Sequence, residues 1–136
     1  MDIKTLAVDA NILVPAMMGG RTRDLIVHLA VVPIELQAPE DAFIEVEDHV
    51  VDLTGYVRAR IDAFRLALAS VPVLRVLRRA YEHELERAKE LTKKRDPDDA
   101  PVVALALAKG IPIWSNDKDL KAIRIFTTRD LATIFP

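Results

Sequence analysis

Four acidic side chains lie along the chain where predicted strands end or predicted helices begin. They are Asp9 in VDAN, Glu45 in FIEVE, Asp99 in DPDDAP and Asp117 in SNDKD. Carboxylates that converge on one edge of a protein repel one another unless a cation neutralises them. Ligand sets made only of oxygen suit hard divalent cations such as Mg²⁺. The four acids therefore predict a divalent-metal site, and a site of this kind suits phosphodiester chemistry.

Apolar runs that alternate with helical patterns predict an α/β fold, in which helices cover both faces of a parallel sheet. The predicted strands cover residues 5–9, 34–38, 111–115 and 124–128. The predicted helices cover residues 11–31 with a break at Gly19-Gly20, then 39–53, 56–69, 74–94, 99–109 and the C-terminal segment. A further short helix is expected after the SNDKD segment.

The parallel topology is expected to bring the four acids to one edge of the sheet. Asp9 ends the first predicted strand, and Asp117 lies just beyond the third. Helices in such a fold run antiparallel to the strands, so their N-termini point at the carboxyl edge of the sheet. Glu45 and Asp99 lie in the first turns of two of these helices, where the helix dipole favours negative charge.

Two polar residues close to these acids have predicted supporting roles. Asn11, two residues after Asp9, is placed to orient a metal-bound water. Ser115, two residues before Asp117, is placed to donate a hydrogen bond to a carboxylate and fix its rotamer.

Each acid taken alone also has a structural explanation. Asp98 or Asp99 before Ala-Pro suits a helix N-cap, and Asp117 suits the cap of the predicted short helix. Periodicity leaves Glu45 and Glu47 on opposite flanks of the apolar face of their helix, so it does not choose between them. The joint pattern is harder to explain structurally than any single member.

Composition predicts one folded domain over residues 1–136. Half of the 136 residues are apolar, 29% are charged and none is cysteine, which excludes a disulfide framework or a thiolate metal site. No apolar run approaches the roughly 20 residues that span a bilayer, and the N-terminal segment lacks the pattern of a signal peptide. The cytoplasm is therefore the expected location, with no membrane partner.

Charge is distributed unevenly although the net charge is only −2. Residues 35–55 contain seven acids and no Lys or Arg, whereas residues 56–95, a long helical middle segment, contain eleven bases against five acids. A basic block beside an acidic centre can hold a polyanion by its phosphates. Solvated helix faces with internal ion pairs explain the same pattern equally well.

The acids and their neighbours resemble the PIN-domain nucleases over nearly the whole chain. The most specific stretch is DPDDAPVVALALAKGIPIWSNDKDL, which places an Asp before an Ala-rich helix and a Ser-x-Asp-x-Asp segment after the next strand. The positions that match the family pattern are Asp9, Asn11, Glu45, Asp99, Ser115, Asp117 and Asp119. Asp96 and Asp98 compete with Asp99, which stands in the family's register.

The resemblance implies a three-layer α/β/α sandwich around a central parallel sheet of four to five strands. It implies cleavage of single-stranded RNA by water with Mg²⁺ or Mn²⁺, held by Asp9, Glu45, Asp99 and Asp117. Asn11, Ser115 and Asp119 would support these ligands. It also implies a homodimer and, for a member that is the toxin of a toxin–antitoxin pair, an antitoxin protein that covers the acidic site.

Two other functions fit parts of the pattern. A catalytically inactive PIN-like module would bind RNA or protein without cutting, although such a module does not need all four acids. A phosphatase or phosphoacceptor also carries an Asp after its first strand, but it needs a Lys at the same edge. Lys118 and Lys121 are the candidates for that Lys, and neither ends a strand.

Overall fold

The computed structural model describes residues 2–117 and 119–136. Its strands are β1 (Thr5–Val8), β2 (Glu35–Pro39), β3 (Leu74–Val76), β4 (Ile113–Trp114) and β5 (Ile125–Phe126). Its α-helices are α1 (Ala10–Met17), α2 (Arg21–Val31), α3 (Glu40–Leu53), α4 (Arg58–Ser70), α5 (Leu85–Thr92), α6 (Ala100–Lys109) and α7 (Thr128–Ile134). None of the helices within these ranges combines the length and the hydropathy of a membrane span.

The strands form one sheet in the order β3-β2-β1-β4-β5, and every neighbouring pair is parallel. In the centre of the sheet, Ala7 of β1 is in register with Gln37 of β2 on one side and with Ile113 of β4 on the other. The predicted parallel α/β fold is therefore confirmed, with five strands.

Alternate residues of the central strands supply two separate hydrophobic cores. Leu6 and Val8 of β1 pack with α1, α2 and α3 on one face, whereas Ala7 packs with α5 and α6 on the other. In the same way Trp114 belongs to the first core and Ile113 to the second. All five residues are fully buried, as the two-residue period of a strand covered on both faces requires. The result is the predicted three-layer α/β/α sandwich.

The helix predicted over residues 74–94 is wrong in its first half. Residues Leu74–Val76 form the edge strand β3, which pairs with β2, and two short 3-10 turns follow before α5 begins at Leu85. Tyr81 lies between these two turns and is fully buried. Pairing with a distant strand therefore overrides the local helical period.

The short helix predicted after the SNDKD segment is also absent from the described residues. Residues 119–124 form loop and turns there, and β5 follows directly. The helix predicted over residues 99–109 is confirmed as α6. It ends at Gly110, whose left-handed φ of 65° lets the chain reverse toward β4.

Candidate active site

The order of the strands creates a crevice beside β1. The chain passes from β1 to β2 on one side, and β4 later pairs with the opposite side of β1. In open parallel sheets, ligands bind at the carboxyl ends of the strands where the order reverses in this way. Asp9 follows β1 there, and its N–H donates to the carbonyl of Trp114 at 3.1 Å. Ser115 follows β4 beside it.

A network of side-chain hydrogen bonds joins the ends of β1 and β4. The Ser115 hydroxyl donates to Oδ2 of Asp9 at 2.9 Å. The Asn11 amide donates to the Ser115 hydroxyl at 3.2 Å and to Oδ2 of Asp117 at 2.9 Å. The backbone N–H of Asp117 also donates to the Ser115 hydroxyl, at 3.3 Å. Four of the predicted site residues are therefore in direct contact.

Asp9 has a structural role as well as its place in this network. It is the N-cap of α1, and its Oδ1 accepts from the backbone N–H of Ala10 at 2.8 Å. Only 6% of the residue is exposed. The hydrogen bonds and the positive end of α1 offset the cost of burying this negative charge. Hydrogen bonds to both carboxylate oxygens therefore fix the rotamer of Asp9.

Asn11 has an acceptor oxygen that points into the same region. Its amide nitrogen makes two hydrogen bonds, but its Oδ1 is buried and accepts none from any residue that the structure describes. A buried carbonyl oxygen without a donor costs about 1–3 kcal/mol. A cation, or a water bound to one, would satisfy it.

Glu45 lies within the electric field of the other acids, and the pKa of its carboxyl is raised from 4.5 to about 7. Withdrawal of the carboxyl from water is the largest cause, although the residue as a whole is exposed on α3. The negative charges of Asp98, Asp9, Asp96 and Asp99 raise the pKa further. A cation bound between Glu45 and these four acids would relieve the repulsion among their negative charges.

The alternative acid on the same helix faces elsewhere. Glu47 forms an ion pair of 3.5 Å with Arg75 of the edge strand β3, and the Arg75 guanidinium also lies 5.5 Å from the ring centre of Phe43. Among the two acids that the sequence left open, the structure therefore places Glu45 beside the acidic edge.

The third acidic position lies in a tight turn that leads into α6. Asp96 begins a 3-10 turn over Pro97–Asp99, and its Oδ1 accepts from the N–H of Asp98 at 3.0 Å. Asp99 occupies the N-cap position of α6, but its side chain makes no capping hydrogen bond there. Asp98 lines a cavity of about 430 Å³ together with Glu45. The capping explanation therefore fits Asp96 better than Asp99.

The loop that carries Asp117 is attached to α7 by residues that the sequence did not single out. Oδ1 of Asn116 accepts from the N–H of Thr128 at 2.8 Å, and the indole N–H of Trp114 donates to the Thr128 hydroxyl at 3.1 Å. The side chain of Asp117 points back to Asn11. The only sequence signal for Asn116 was its place inside the SNDKD segment.

Asp119 and Lys121 take part in none of the hydrogen bonds of this network. Asp119 is exposed and lines a separate surface cavity, which it shares with Lys121. Lys118, the other candidate for a phosphatase-like role, lies outside the described residues.

The oxygen atoms of the candidate site are of the kind that binds a hard cation, and they lie where ligands bind in such sheets. They belong to carboxylates and one amide, gathered at the switch point of the sheet. In the described part of the chain, however, no three acids or histidines approach closely enough to hold one ion as they stand. Asp9, Asn11, Ser115 and Asp117 meet directly, whereas Glu45 reaches Asp9 and Asp99 only through electrostatic interaction.

The sequence matches the family model of the PIN domain over residues 7–134. The chain belongs to the PIN-domain family. As a PIN domain, it matches a family that is generally nuclease and typically uses divalent metal ions. The match includes all of the acids discussed above.

Structural comparison supports the fold of this PIN domain. A chain of VapBC2 from Rickettsia felis, solved bound to a DNA fragment from their promoter, superposes with a TM-score of 0.66. The superposition covers 90% of this PIN domain and 98% of that chain, at 14% sequence identity. No curated protein matches the sequence.

Proposed function

We propose that this PIN domain is a metal-dependent endoribonuclease that hydrolyses phosphodiester bonds of single-stranded RNA, and that it acts as a single domain in the cytoplasm. The observation that carries the proposal is the network at the switch point. Ser115 and Asn11 connect Asp9 to Asp117. The Oδ1 of Asn11 accepts no hydrogen bond from the described residues, so it can accept one from a further ligand. Purely structural caps do not need this arrangement.

Asp9, Asp99, Asp117 and Glu45 are the residues that would hold Mg²⁺ or Mn²⁺. When bound, the cation supplies an activated water and neutralises charge on the leaving oxygen. Glu45, on whose carboxyl the charges of Asp9 and Asp99 act, would ligate the cation or orient the water.

Ser115 and Asn11 are positioning residues in this mechanism. Ser115 donates to Asp9 and so aims one carboxylate, while Asn11 donates to Asp117 and aims the other. Partners of this kind orient ligands before substrate arrives, so the two carboxylates need not reorganise during the reaction.

The finer proposal is that this nuclease is the toxin of a toxin–antitoxin pair and forms a homodimer. The family resemblance and the fold that it shares with a chain of the VapBC2 complex support this proposal. The antitoxin would cover the acidic site and so block access of RNA to Asp9 and Asp117.

One observation favours a second function, that of a PIN-like module that binds without cutting. No three acids or histidines of the described residues close around a single point. A catalytically inactive PIN-like module that binds RNA or protein would need no such closure. The two functions differ in metal dependence, because only the nuclease requires a cation.

The experiment is cleavage of a labelled single-stranded RNA with Mg²⁺ or Mn²⁺, repeated in EDTA. Asp117→Asn removes a proposed ligand, and Asp52→Asn is a matched control on the exposed surface of α3. Cutting that needs metal, fails in Asp117→Asn and survives in Asp52→Asn supports the nuclease. RNA binding without cutting under any metal condition would favour the inactive module.

A further inference from the structure

A cavity of about 600 Å³ opens between the end of α5 and the loop that follows β4. We call it the basic cavity. Its lining includes the bases Lys93, Lys94, Arg95 and Lys121 and the apolar side chains of Leu91 and Leu120. Its lining therefore combines cationic and apolar side chains.

The basic cavity lies on the two loops that carry the third and fourth acids of the candidate active site. Arg95 directly precedes Asp96, whose charge acts on Glu45. Asp119 lines the cavity and follows Asp117 by two residues. Both segments that line the basic cavity are therefore next in the chain to acids that the candidate active site uses.

Most of the positive charge in the basic cavity is not neutralised. Lys93 pairs with Glu90 at 2.5 Å. Lys94, Arg95 and Lys121 form no ion pair with any residue in the described ranges, although they surround one cavity. Four bases face two acids there, so the cavity attracts anions while the neighbouring acidic edge repels them.

We propose that the basic cavity binds the phosphodiester backbone of single-stranded RNA beside the site of cleavage. The inference rests on the proposed function for the identity of the polyanion. Lys and Arg neutralise phosphates without reading sequence, and the leucine side chains of the lining offer apolar contact to the face of an unstacked base. These basic side chains offset the repulsion that the acids of the candidate active site exert on the same RNA strand.

The test compares two triple variants that change the charge equally. The cavity variant is K94Q/R95Q/K121Q. The control is R60Q/R87Q/K109Q, which removes three exposed bases that line none of the cavities described here. Binding of a labelled single-stranded RNA is measured in EDTA at several salt concentrations, so that binding is separated from cleavage.

We expect the cavity variant to bind RNA at least about tenfold more weakly at low salt, because it loses up to three phosphate contacts. The slope of log K against log salt should fall by about 2, which corresponds to roughly 0.7 for each contact on a single strand. The control should keep the wild-type slope. In Mn²⁺, KM should rise while kcat stays close to that of the wild type.

The other outcomes reject either RNA binding by the basic cavity or the proposed nuclease activity. RNA binding by the cavity would be rejected by an unchanged affinity and slope, by equal losses in the control, or by no RNA binding of the wild type. Displacement of RNA by poly-glutamate at equal charge would also overturn it, because the cavity would then accept any polyanion. RNA binding through the cavity without cleavage in Mn²⁺ would leave the cavity standing and reject the nuclease.

Discussion

The hydroxyl of Ser115 donates a hydrogen bond of 2.9 Å to Oδ2 of Asp9, across the gap between β4 and β1. Ser115 is fully buried, and its oxygen also accepts from Asn11 and from the backbone N–H of Asp117. A single hydroxyl therefore contacts the carboxylate of Asp9 directly and the carboxylate of Asp117 through Asn11. Its loss should affect both the fold and the proposed metal site.

Ser115→Ala should lower the free energy of unfolding by about 1–3 kcal/mol, because it removes the partner of buried polar groups. It should also weaken Mn²⁺ binding by roughly 10–100-fold, as loss of a residue that orients a ligand does. Chemical denaturation and calorimetric titration measure the two effects. Ser70→Ala, at an exposed hydroxyl that contacts Arg23, should change the unfolding free energy by less than about 0.5 kcal/mol. Equal effects in the two variants would reject the role of Ser115.

Asn11→Ala should reduce kcat/KM by roughly 10–100-fold, because the Asp117 carboxylate loses the amide that orients it at 2.9 Å. Stability should change little, since the substitution also removes the buried Oδ1 that accepts no hydrogen bond within the described residues. Steady-state cleavage and thermal unfolding measure the two quantities. Full activity in Asn11→Ala would show that Asp117 does not need this contact.

The pKa of Glu45, raised to about 7 in the folded chain, makes stability depend on pH. Between the ordinary value of 4.5 and about 7, the folded chain holds a proton on Glu45 that the unfolded chain has lost. The contribution of Glu45 to stability is therefore fully present below this window and is lost as pH rises through it. In EDTA, the Tm should decrease over this range, and Mg²⁺ should reverse the decrease because it favours the ionised carboxylate.

Glu45→Gln should flatten this pH dependence, because the glutamine cannot ionise. Glu47→Gln is the matched control on the same helix, where the side chain pairs with Arg75 instead of facing the acids. The measurement is Tm between about pH 5 and about pH 8 for the three proteins. A wild-type Tm that rises across the window would contradict the raised pKa.

Tyr81→Phe should destabilise the chain by about 1–3 kcal/mol, because the buried hydroxyl donates to the Asp41 carboxylate at 2.6 Å. Burial raises the pKa of Tyr81, and the hydrogen bond to the Asp41 carboxylate raises it further, so the phenol remains a donor at neutral pH. Tyr56→Phe is the control, since Tyr56 is 73% exposed and should cost less than about 0.5 kcal/mol. Chemical denaturation distinguishes them, and similar values would contradict the assigned contact.

The parts of the fold that were readable from the sequence depend on local signals. The apolar run before Asp9 predicted β1, and the Ala-rich segment between Asp99 and Gly110 predicted α6, as observed. The strand β3 was missed because Leu74–Val76 becomes a strand only by pairing with β2, whereas the spacing of Leu74, Leu77 and Tyr81 fits a helix. Pairings between distant segments leave little trace in local periodicity.

In the candidate site, too, some features could be predicted from local sequence and others depend on contacts between distant residues. The residue types and their places at strand ends and helix starts identified the acids. The contact between Asn11 and Asp117 joins residues 106 positions apart and needed the strand order, which places β4 directly beside β1. The choice between Glu45 and Glu47 needed the position of Arg75, which lies on the strand that the sequence did not predict.

The most direct test of the central claim is cleavage of single-stranded RNA by the wild type and by Asp9→Asn in Mn²⁺, under single-turnover conditions. Asp62→Asn, at an exposed acid that pairs with Arg58, controls for the change of charge. We predict cleavage that EDTA abolishes and that Asp9→Asn slows by roughly 100-fold or more, since loss of a ligand exceeds the loss of a residue that orients one. The Tm should change by only a few degrees, because asparagine can still accept from Ala10. Cleavage at the wild-type rate by folded Asp9→Asn would contradict the account.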